Sequence, residues 1–466
     1  MAQQIETQFV FRDCSAGVIT GVKAELSPPN SVDLGINCVF DEVYGEAKAR
    51  KGVTILGTAT GGTDDVTGLY QFNNTAGTVS KLMKVVDGTI YHYTASAWTS
   101  SGQSDTSGLK TRFVTFLDTV ARLNGTDAVV CSTNGTNWGA SLPLASVTFP
   151  IGSLGTVYKD QVVVADVAGD PDTLYISSVP SAGVVSWTTN NRTITINPED
   201  GQNITALGEI GGLLLVWKDN SMYTWNNRST EADEIVSVGC SSQESVAKCG
   251  NVLAFFNSKG IWLTSGGYPV KISRPVQKWI DGMSASYYGD VSAYGDEDYL
   301  YMSIGDCTVD NVDYTNVVLK YSVNTKEWAV LSYAFEFLIF AKNDNAIVGG
   351  DEDGDVYEIE SSALDDAGTA IKFDLQSHDM FFGSRGYKKQ ICERVLAYGD
   401  NAQALVQVKV DGKDWQTLGT MTGVVNNFNL KEAVEGFKFK FRCVGISGNR
   451  ASIQGIELAK INAIDY

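Results

Sequence analysis

Gly212–Trp225, GLLLVWKDNSMYTW, has the pattern that decides the fold. An apolar run, LLLVW, is followed by the polar turn Lys218–Ser221 and then by a second short run that ends in tryptophan. Two apolar runs separated by turn residues predict an antiparallel β-hairpin. Asn251–Leu263, NVLAFFNSKGIWL, repeats the pattern with Asn257–Gly260 at the turn. The recurrence indicates a repeated structural unit.

Further hairpins of this kind occur at Lys84–Tyr93, Val157–Tyr175, Tyr299–Tyr321 and Ala341–Ile359. One residue of each second strand marks the phase of the repeat: Tyr93, Val130, Tyr175, Tyr223, Trp262, Tyr321 and Tyr357. Successive markers lie 37, 45, 48, 39, 59 and 36 residues apart. A drifting period of about 40–50 residues is typical of four-stranded propeller blades, whereas sandwich domains repeat about every 100 residues. An insertion at Cys307–Thr315 leaves the count open between six and seven blades.

The rest of the chain differs from these repeats. Ala404–Val410 and Gly436–Gly445 alternate strictly between apolar and polar residues, as strands of a half-buried antiparallel sheet do. We therefore predict an all-β chain: an extended N-terminal arm over 1–36, a six- or seven-bladed β-propeller over 37–371, and a small C-terminal antiparallel β-sandwich over 372–466. One short helix is expected near Arg274–Met283, where Pro275 suits a first helical turn.

Composition excludes several classes of protein. The chain has 35 Lys and Arg against 54 Asp and Glu, a net charge of −19, which repels nucleic-acid backbones and anionic membranes over most of a surface. The N-terminus lacks the pattern of a signal peptide, so we expect assembly in a cytoplasm. The 8 cysteines form no CxxC pair and are predicted to be reduced core residues. Only 2 histidines are present, which excludes most histidine-based chemistry.

Candidate sites are few, and no catalytic, cofactor-binding or metal-ligating residue is predicted. Asp351–Asp355, DEDGD, has the alternate carboxylates of a calcium loop, but Ser362 stands where an EF-hand needs its twelfth-position Glu; a plain hairpin turn is the main interpretation. Acidic turns at Asp64-Asp65 and Tyr294–Tyr299 could supply a glycosidase acid and base. The tryptophans of the repeats are interpreted as core residues, although they could also stack on sugars. Arg385, Lys388 and Lys389 form one modest basic cluster.

Four parts of the chain together resemble one known family. They are the opening Asn37–Thr54, the hairpin Thr205–Trp225, Ser245–Met283 with its terminal PVQKWIDGM, and the closing pair Val408–Gln416 and Gly436–Ala459. In element order and length they are similar to the propeller hub, or nozzle, proteins of short-tailed bacteriophages, also called packaged-DNA stabilisation proteins. The first 36 residues have no counterpart in that family.

The resemblance implies a non-enzymatic structural protein of the virion tail, without a cofactor. It would form a ring, a homo-hexamer as in that family, below the portal and adaptor proteins. The ring would extend and help close the DNA exit channel, and would anchor a plug, needle, spike or fibre. DNA would pass the acidic wall without sequence-specific binding. Two alternatives remain: a propeller glycan hydrolase or lyase, or a carbohydrate-binding propeller, at a host surface. An enzyme should show acids converging in a pocket at one end of the propeller axis.

Overall fold

The computed structural model describes the chain except residues 1–3, 6–7, 12, 24–25, 58–63, 140–148, 199, 382–389, 401–402, 437, 447–449 and 464–466. The described part is almost entirely β, which confirms the predicted fold class. Before the first blade come six short strands: β1 (Gln4–Ile5), β2 (Gln8–Phe11), β3 (Leu34–Ile36), β4 (Cys38–Val39), β5 (Ala47–Ala49) and β6 (Thr54–Ile55).

The first three blades are antiparallel sheets built from consecutive strands. Blade 1 consists of β7 (Val66–Asn73), β8 (Ser80–Val86), β9 (Thr89–Thr94) and β10 (Ala97–Ser104). Blade 2 consists of β11 (Arg112–Phe116), β12 (Thr119–Leu123) and β13 (Val130–Ser132). Blade 3 consists of β14 (Gly152–Tyr158), β15 (Gln161–Val167), β16 (Thr173–Ile176) and β17 (Arg192–Thr195).

Blades 4 to 6 continue the same pattern. Blade 4 consists of β18 (Ile204–Ile210), β19 (Leu213–Lys218), β20 (Met222–Trp225) and β21 (Asp233–Val236). Blade 5 consists of β22 (Ala247–Cys249), β23 (Val252–Asn257), β24 (Gly260–Thr264) and β25 (Val270–Lys271). Blade 6 consists of β26 (Ser292–Gly295), β27 (Tyr299–Val309), β28 (Val312–Ser322) and β29 (Trp328–Ser332).

Short helical segments lie around blade 5. The predicted helix is present as a 3-10 turn, Arg274–Val276, followed by α1, Gln277–Asp281. Pro275 lies in its first turn, as expected. Two further 3-10 turns, Gln243–Ser245 and Ala285–Tyr287, precede the first strands of blades 5 and 6.

Blade 7 closes the ring with a strand from the other end of the sequence. It consists of β30 (Ile339–Asn343), β31 (Ala346–Gly350), β32 (Val356–Ile359) and, at its outer edge, β6. The first strands of neighbouring blades contact each other around the ring, with β30 returning to β7. Blade 5 joins this ring through β23 and the 3-10 turn that contact β18. The propeller therefore has seven blades. The expected insertion at Cys307–Thr315 is the tip of the long β27–β28 hairpin.

The backbone is closely packed at Gly52, just before the closing strand β6. The Gly52 N–H donates to the Ala363 oxygen at 2.8 Å, and a Cβ on Gly52 would lie 2.0 Å from the Asp365 carbonyl oxygen. We expect Gly52→Ala to lower the free energy of unfolding by about 1–3 kcal/mol, because backbone must move to admit the methyl group. Urea denaturation measures the loss. Gly267→Ala is the control, since no atom lies within 4 Å of its Cβ position; equal stability of the two variants would contradict the prediction.

The remaining strands follow blade 7. β33 (Asp365–Asp366) and β34 (Thr369–Ala370) pair with each other as a separate two-stranded sheet. The strands of the sandwich are β35 (Lys372–Gln376), β36 (Met380–Phe381), β37 (Gln390–Asp400), β38 (Ala404–Val410), β39 (Gln416–Thr420), β40 (Val425–Gly436), β41 (Lys438–Ile446) and β42 (Ser452–Ala463). One sheet has the order β4-β5-β42-β37-β40, with β1 and β2 also on β42. The other runs β3-β35-β41-β38-β39. Strands from before the propeller thus complete both sheets.

The sandwich and the propeller are joined by hydrogen-bonded sheet. β29, the outer strand of blade 6, pairs in parallel with β3 at Val330 and Ile36, so that one ten-stranded sheet runs from blade 6 into the sandwich. A single hydrophobic cluster contains buried residues of both parts, among them Trp279, Leu331 and Phe441. The N-terminal segment lies within this junction: Val18 N–H donates to the Trp328 oxygen at 2.9 Å.

Cysteines are part of these cores, as predicted from their apolar surroundings. All seven whose side chains are described are free and buried. Burial raises the pKa of the Cys131 thiol to about 12, and of Cys443 likewise to about 12. Thiols held in this protonated state are poor nucleophiles and metal ligands.

Candidate functional site

Two adjoining cavities, each of about 270 Å³, occupy one end of the propeller axis. Most of the lining residues precede or begin the first strands of the blades, whereas Asp166 and Asp219 lie at the ends of second strands. Together the two linings draw on all seven blades. We call this region the axial mouth, defined by these lining side chains: Asp65, Lys110, Arg112, Asp166, Asp219, Glu244, Tyr287, Asp290 and Glu336.

The axial mouth is rich in carboxylates that are only partly neutralised. Lys110 Nζ lies 2.9 Å from Asp290 Oδ1, and Arg112 Nε lies 2.6 Å from Glu244 Oε1. Among the described residues, Asp65 and Glu336 form no ion pair. Two basic side chains therefore face a larger number of acidic ones, and the charge that remains is negative.

The pKa values of two of these acids, Glu336 and Glu244, are shifted in opposite directions. Burial raises the pKa of Glu336 to about 7, and the nearby carboxylates of Glu352, Asp306, Asp290 and Asp65 add to the shift. Burial acts to raise the pKa of Glu244 as well, but its ion pair with Arg112 outweighs this and holds the pKa below its usual value. Near neutral pH the mouth therefore contains the Glu336 carboxyl group, which can keep its proton, together with the Glu244 carboxylate, which is ionised.

This shift predicts how stability depends on pH. A raised carboxyl pKa means that the folded protein binds more protons than the unfolded chain, so stability falls as pH rises from about 4.5 to about 7. Glu336→Gln removes the titration, and we expect the variant to match the natural protein at pH 4 and to be more stable at pH 8. Urea midpoints across this range measure the difference. Glu234→Gln, at an exposed position, is the control; parallel curves for Glu336→Gln and the natural protein would contradict the prediction.

Asp351–Asp355, the candidate calcium loop, is a turn that lies next to the buried ammonium group of a lysine. Asp351 is buried, and its Oδ1 accepts hydrogen bonds from the N–H groups of Asp353 at 3.1 Å and Asp355 at 2.7 Å. Lys84, which is fully buried in blade 1, donates from Nζ to the Gly354 oxygen at 2.6 Å. Burial lowers the pKa of Lys84 to about 8 despite the carboxylates of Asp355 and Asp351. These contacts support the hairpin-turn interpretation, with an ammonium close to where a metal would bind.

The other predicted candidates are separated in space. Asp65 lines the axial mouth, whereas Asp296 of the second acidic turn lines a different cavity and accepts the N–H of Tyr299 at 2.7 Å. The two acidic turns therefore do not form one acid and base pair. Among the described residues, no group of three or more His, Cys, Asp or Glu side chains is arranged to hold a metal ion. Arg385, Lys388 and Lys389 lie outside the described residues.

Tryptophans of the repeats lie mostly between sheets. Trp225 and Trp328 are at most 1% exposed. Trp187 is 6% exposed and packs on Phe149 with ring centroids 4.7 Å apart. Trp98 covers Lys84, whose Nζ lies 4.6 Å from its ring centroid. These positions agree with the core interpretation and leave these rings little surface for sugar stacking.

Sequence reasoning missed most of the axial mouth. Lys110, Glu244, Asp290 and Glu336 lie in connecting segments of four different blades and share no motif. The only usable signal was their position just before the first strand of a repeat, since those segments meet at one end of the axis. Such a signal requires the blade boundaries to be known in advance.

Comparisons with known proteins assign the chain to no family. No protein-family model and no curated protein match the chain. Similar solved structures include YCF48 from Cyanidioschyzon merolae, 11% identical, with a TM-score of 0.42 over 66% of this chain and 98% of that one. BamB from Moraxella catarrhalis is 9% identical, with a TM-score of 0.40 over 77% and 99%. PorZ from Porphyromonas gingivalis is 12% identical, with a TM-score of 0.41 over 80% and 48%.

The helices within the described ranges are too short and too polar to span a bilayer.

Proposed function

We propose that this chain is a structural protein of a phage tail, one subunit of a hub or nozzle ring below the portal and adaptor. The observation that carries the proposal is the fusion of propeller and sandwich through one ten-stranded sheet. Because that sheet and the shared core hold the two parts in a fixed relation, the chain is suited to transmit force between neighbours. The resemblance of Asn37–Thr54, Thr205–Trp225 and the closing strands to the hub family supports the same role.

Exposed apolar side chains support an interaction role. Tyr44 on the β4–β5 loop is 85% exposed, and Val424 and Val425 at the start of β40 are 59% and 60% exposed. On the propeller, Tyr268 is 78% and Val270 64% exposed at the outer edge of blade 5. Large apolar residues kept in water at three separate places favour burial against other proteins. We assign these places to contacts with other copies and with the portal, adaptor and distal tail proteins.

Under this proposal DNA passes between copies. The axial cavities of about 270 Å³ each are too small for a duplex, whose major groove alone is about 12 Å wide. A channel would therefore be enclosed by the ring of subunits, and the net charge of −19 would let DNA slide past without adhering. The protein would need no catalytic residue and no cofactor for this role, and it would be located in the virion after assembly in the host cytoplasm.

Electron microscopy of particles from the source culture tests the proposal. An antibody raised against the chain and carrying gold should label a ring beneath one capsid vertex. Label confined to peripheral spikes, or particles without label, would rule out the hub assignment. Purified chain should also form a ring when mixed with the portal and adaptor proteins, and its failure to do so would count against the same assignment.

A second candidate function rests on the axial mouth. A propeller glycan hydrolase requires acids that converge near the axis, one protonated and one ionised. Glu336, with its pKa raised to about 7, and Glu244, with its pKa held below its usual value, meet that chemical requirement. Depolymerisation of host surface polysaccharide by the natural chain, lost in Glu336→Gln and kept in Glu234→Gln, would favour the enzyme. Equal inactivity of all three would exclude it.

A further inference from the structure

A cleft of about 610 Å³ opens between blades 6 and 7, away from the axial mouth. One wall carries Tyr294, Tyr299 and Tyr301 on β26 and β27, and the opposite wall carries Asp344, Glu358 and Glu360 from the β30–β31 turn and β32. We call it the blade 6–7 cleft. Its volume falls in the range of sites that hold a ligand or a peptide segment.

The cleft carries excess negative charge. Asp296 joins the three acids of the opposite wall, while Lys342 is the one basic residue of the lining. Lys320, beneath the lining, pairs with Glu360 at 2.9 Å and lies 3.6 Å from Asp41. Asp344 is exposed and Glu358 half-buried, so both can meet a partner from solvent. The cleft therefore favours a cationic occupant.

The tyrosine wall already holds one ammonium group. Lys320 Nζ lies 4.1 Å from the Tyr299 ring centroid and 5.4 Å from that of Tyr301. A cation held over tyrosine faces and paired with a carboxylate gains from both interactions. The same contacts oppose a sugar, because Lys320 covers a face of Tyr299 and Tyr301 is only 1% exposed.

We infer that the blade 6–7 cleft binds the basic segment Arg385–Lys389 of a second copy of this chain. Gly383–Ile391, GSRGYKKQI, contains three basic residues and no acid. Two other basic runs already contain residues paired with acids of the same chain. Lys438, Lys440 and Arg442 pair with Asp379, Asp33 and Asp374, and Lys48 and Arg50 pair with Glu42 and Asp366. The acidic blade 6–7 cleft and the basic segment therefore have complementary charges, within a chain that is otherwise acidic. The inference rests on the proposed ring, in which each copy would meet the next.

A labelled synthetic peptide, GSRGYKKQ, tests binding to the full-length chain by fluorescence anisotropy. We expect binding that weakens as salt rises from about 0.05 to about 0.5 M, because exposed ion pairs are screened. The double variant Asp344→Asn with Glu358→Gln should weaken binding about fivefold to tenfold, as two lost surface pairs would. The double variant Asp233→Asn with Glu234→Gln, two exposed acids of blade 4, should bind as the natural chain does.

Exchanging the charges of the cleft and of the basic segment tests whether the segment comes from a second copy of the chain. Lys388→Glu with Lys389→Glu should abolish self-association in sedimentation, and mixing with the Asp344→Lys, Glu358→Lys variant should restore it. Unchanged peptide binding by the cleft variant, or unchanged self-association of the Lys388 and Lys389 variant, would overturn the inference. Circular dichroism confirms that each variant is folded. A labelled ring in particles together with either of these results would leave the hub proposal standing while this inference fails.

Discussion

Replacing Arg50 with methionine is expected to lower the free energy of unfolding by about 3–5 kcal/mol, the loss typical of a broken buried ion pair. Arg50 is 1% exposed. Its Nη1 and Nη2 donate to the two carboxylate oxygens of Asp366 at 2.8 and 2.6 Å. Nε donates to Asn37 Oδ1 at 2.8 Å, and Nη2 also donates to the Ser332 oxygen at 2.8 Å. Arg50 thus connects the segment before the propeller to Ser332 in blade 6 and to Asp366 in the segment after blade 7.

Removing the guanidinium would leave the Asp366 carboxylate buried without its partner. Urea denaturation of Arg50→Met measures the loss, and Asp310→Asn supplies the control, because Asp310 is 72% exposed in its pair with Lys278 and should change stability by at most about 0.5 kcal/mol. Arg50→Met combined with Asp366→Leu should cost less than the sum of the single changes, since no charge is then left buried. Strict additivity of the two changes would show that the pair does not act as a unit.

Replacing Trp328 with alanine is expected to cost about 3–5 kcal/mol, as removal of a buried aromatic side chain commonly does. Trp328 is 1% exposed, packs on Tyr321 with ring centroids 4.8 Å apart, and donates from Nε1 to the Ile272 oxygen at 3.3 Å. It lies on β29, where blade 6 meets the N-terminal segment. The cavity would therefore weaken both blade 6 and the junction with the sandwich.

Tyr268→Ala is the matched control, because this aromatic ring is 78% exposed and its loss should change the urea midpoint little. Trp328→Phe should fall between the natural protein and Trp328→Ala, since the phenyl ring fills part of the space. A loss below about 1 kcal/mol for Trp328→Ala would mean that the site collapses around the missing ring, contrary to the close packing assigned here.

Local patterns were sufficient for the blades. Each of the seven phase markers, from Tyr93 to Tyr357, lies on the third strand of its own blade. The hairpin Gly212–Trp225 became β19 and β20, with its turn at the predicted residues. These features depend on neighbours close in sequence, because alternating burial and turn residues are set within a single hairpin. The blade count was undecided because the β27–β28 hairpin is longer than the others and because the first repeats are weak in the sequence.

The pairing of strands far apart in the chain could not be predicted from the sequence. The two-residue strand β6 carries no pattern that marks it as the outer strand of blade 7, about three hundred residues away. The sequences of β3 to β5 likewise do not indicate that these strands belong to the sandwich. No pattern around Arg50 indicates that its partner is Asp366, more than three hundred residues away. Such partners are chosen by which surfaces the closed ring brings together.

The sequence by itself determined an all-β chain of repeated hairpins, an acidic surface and buried thiols, because periodicity, turn chemistry and charge are written in neighbouring residues. Only the tertiary structure decided the seven-bladed closure, the sheet that fuses blade 6 to the sandwich, and the meeting of Glu336 with Asp65 and Asp290 at the axis. The physical reason is that a ring places the start of every repeat at one point, so side chains far apart in sequence become neighbours only after the ring has closed.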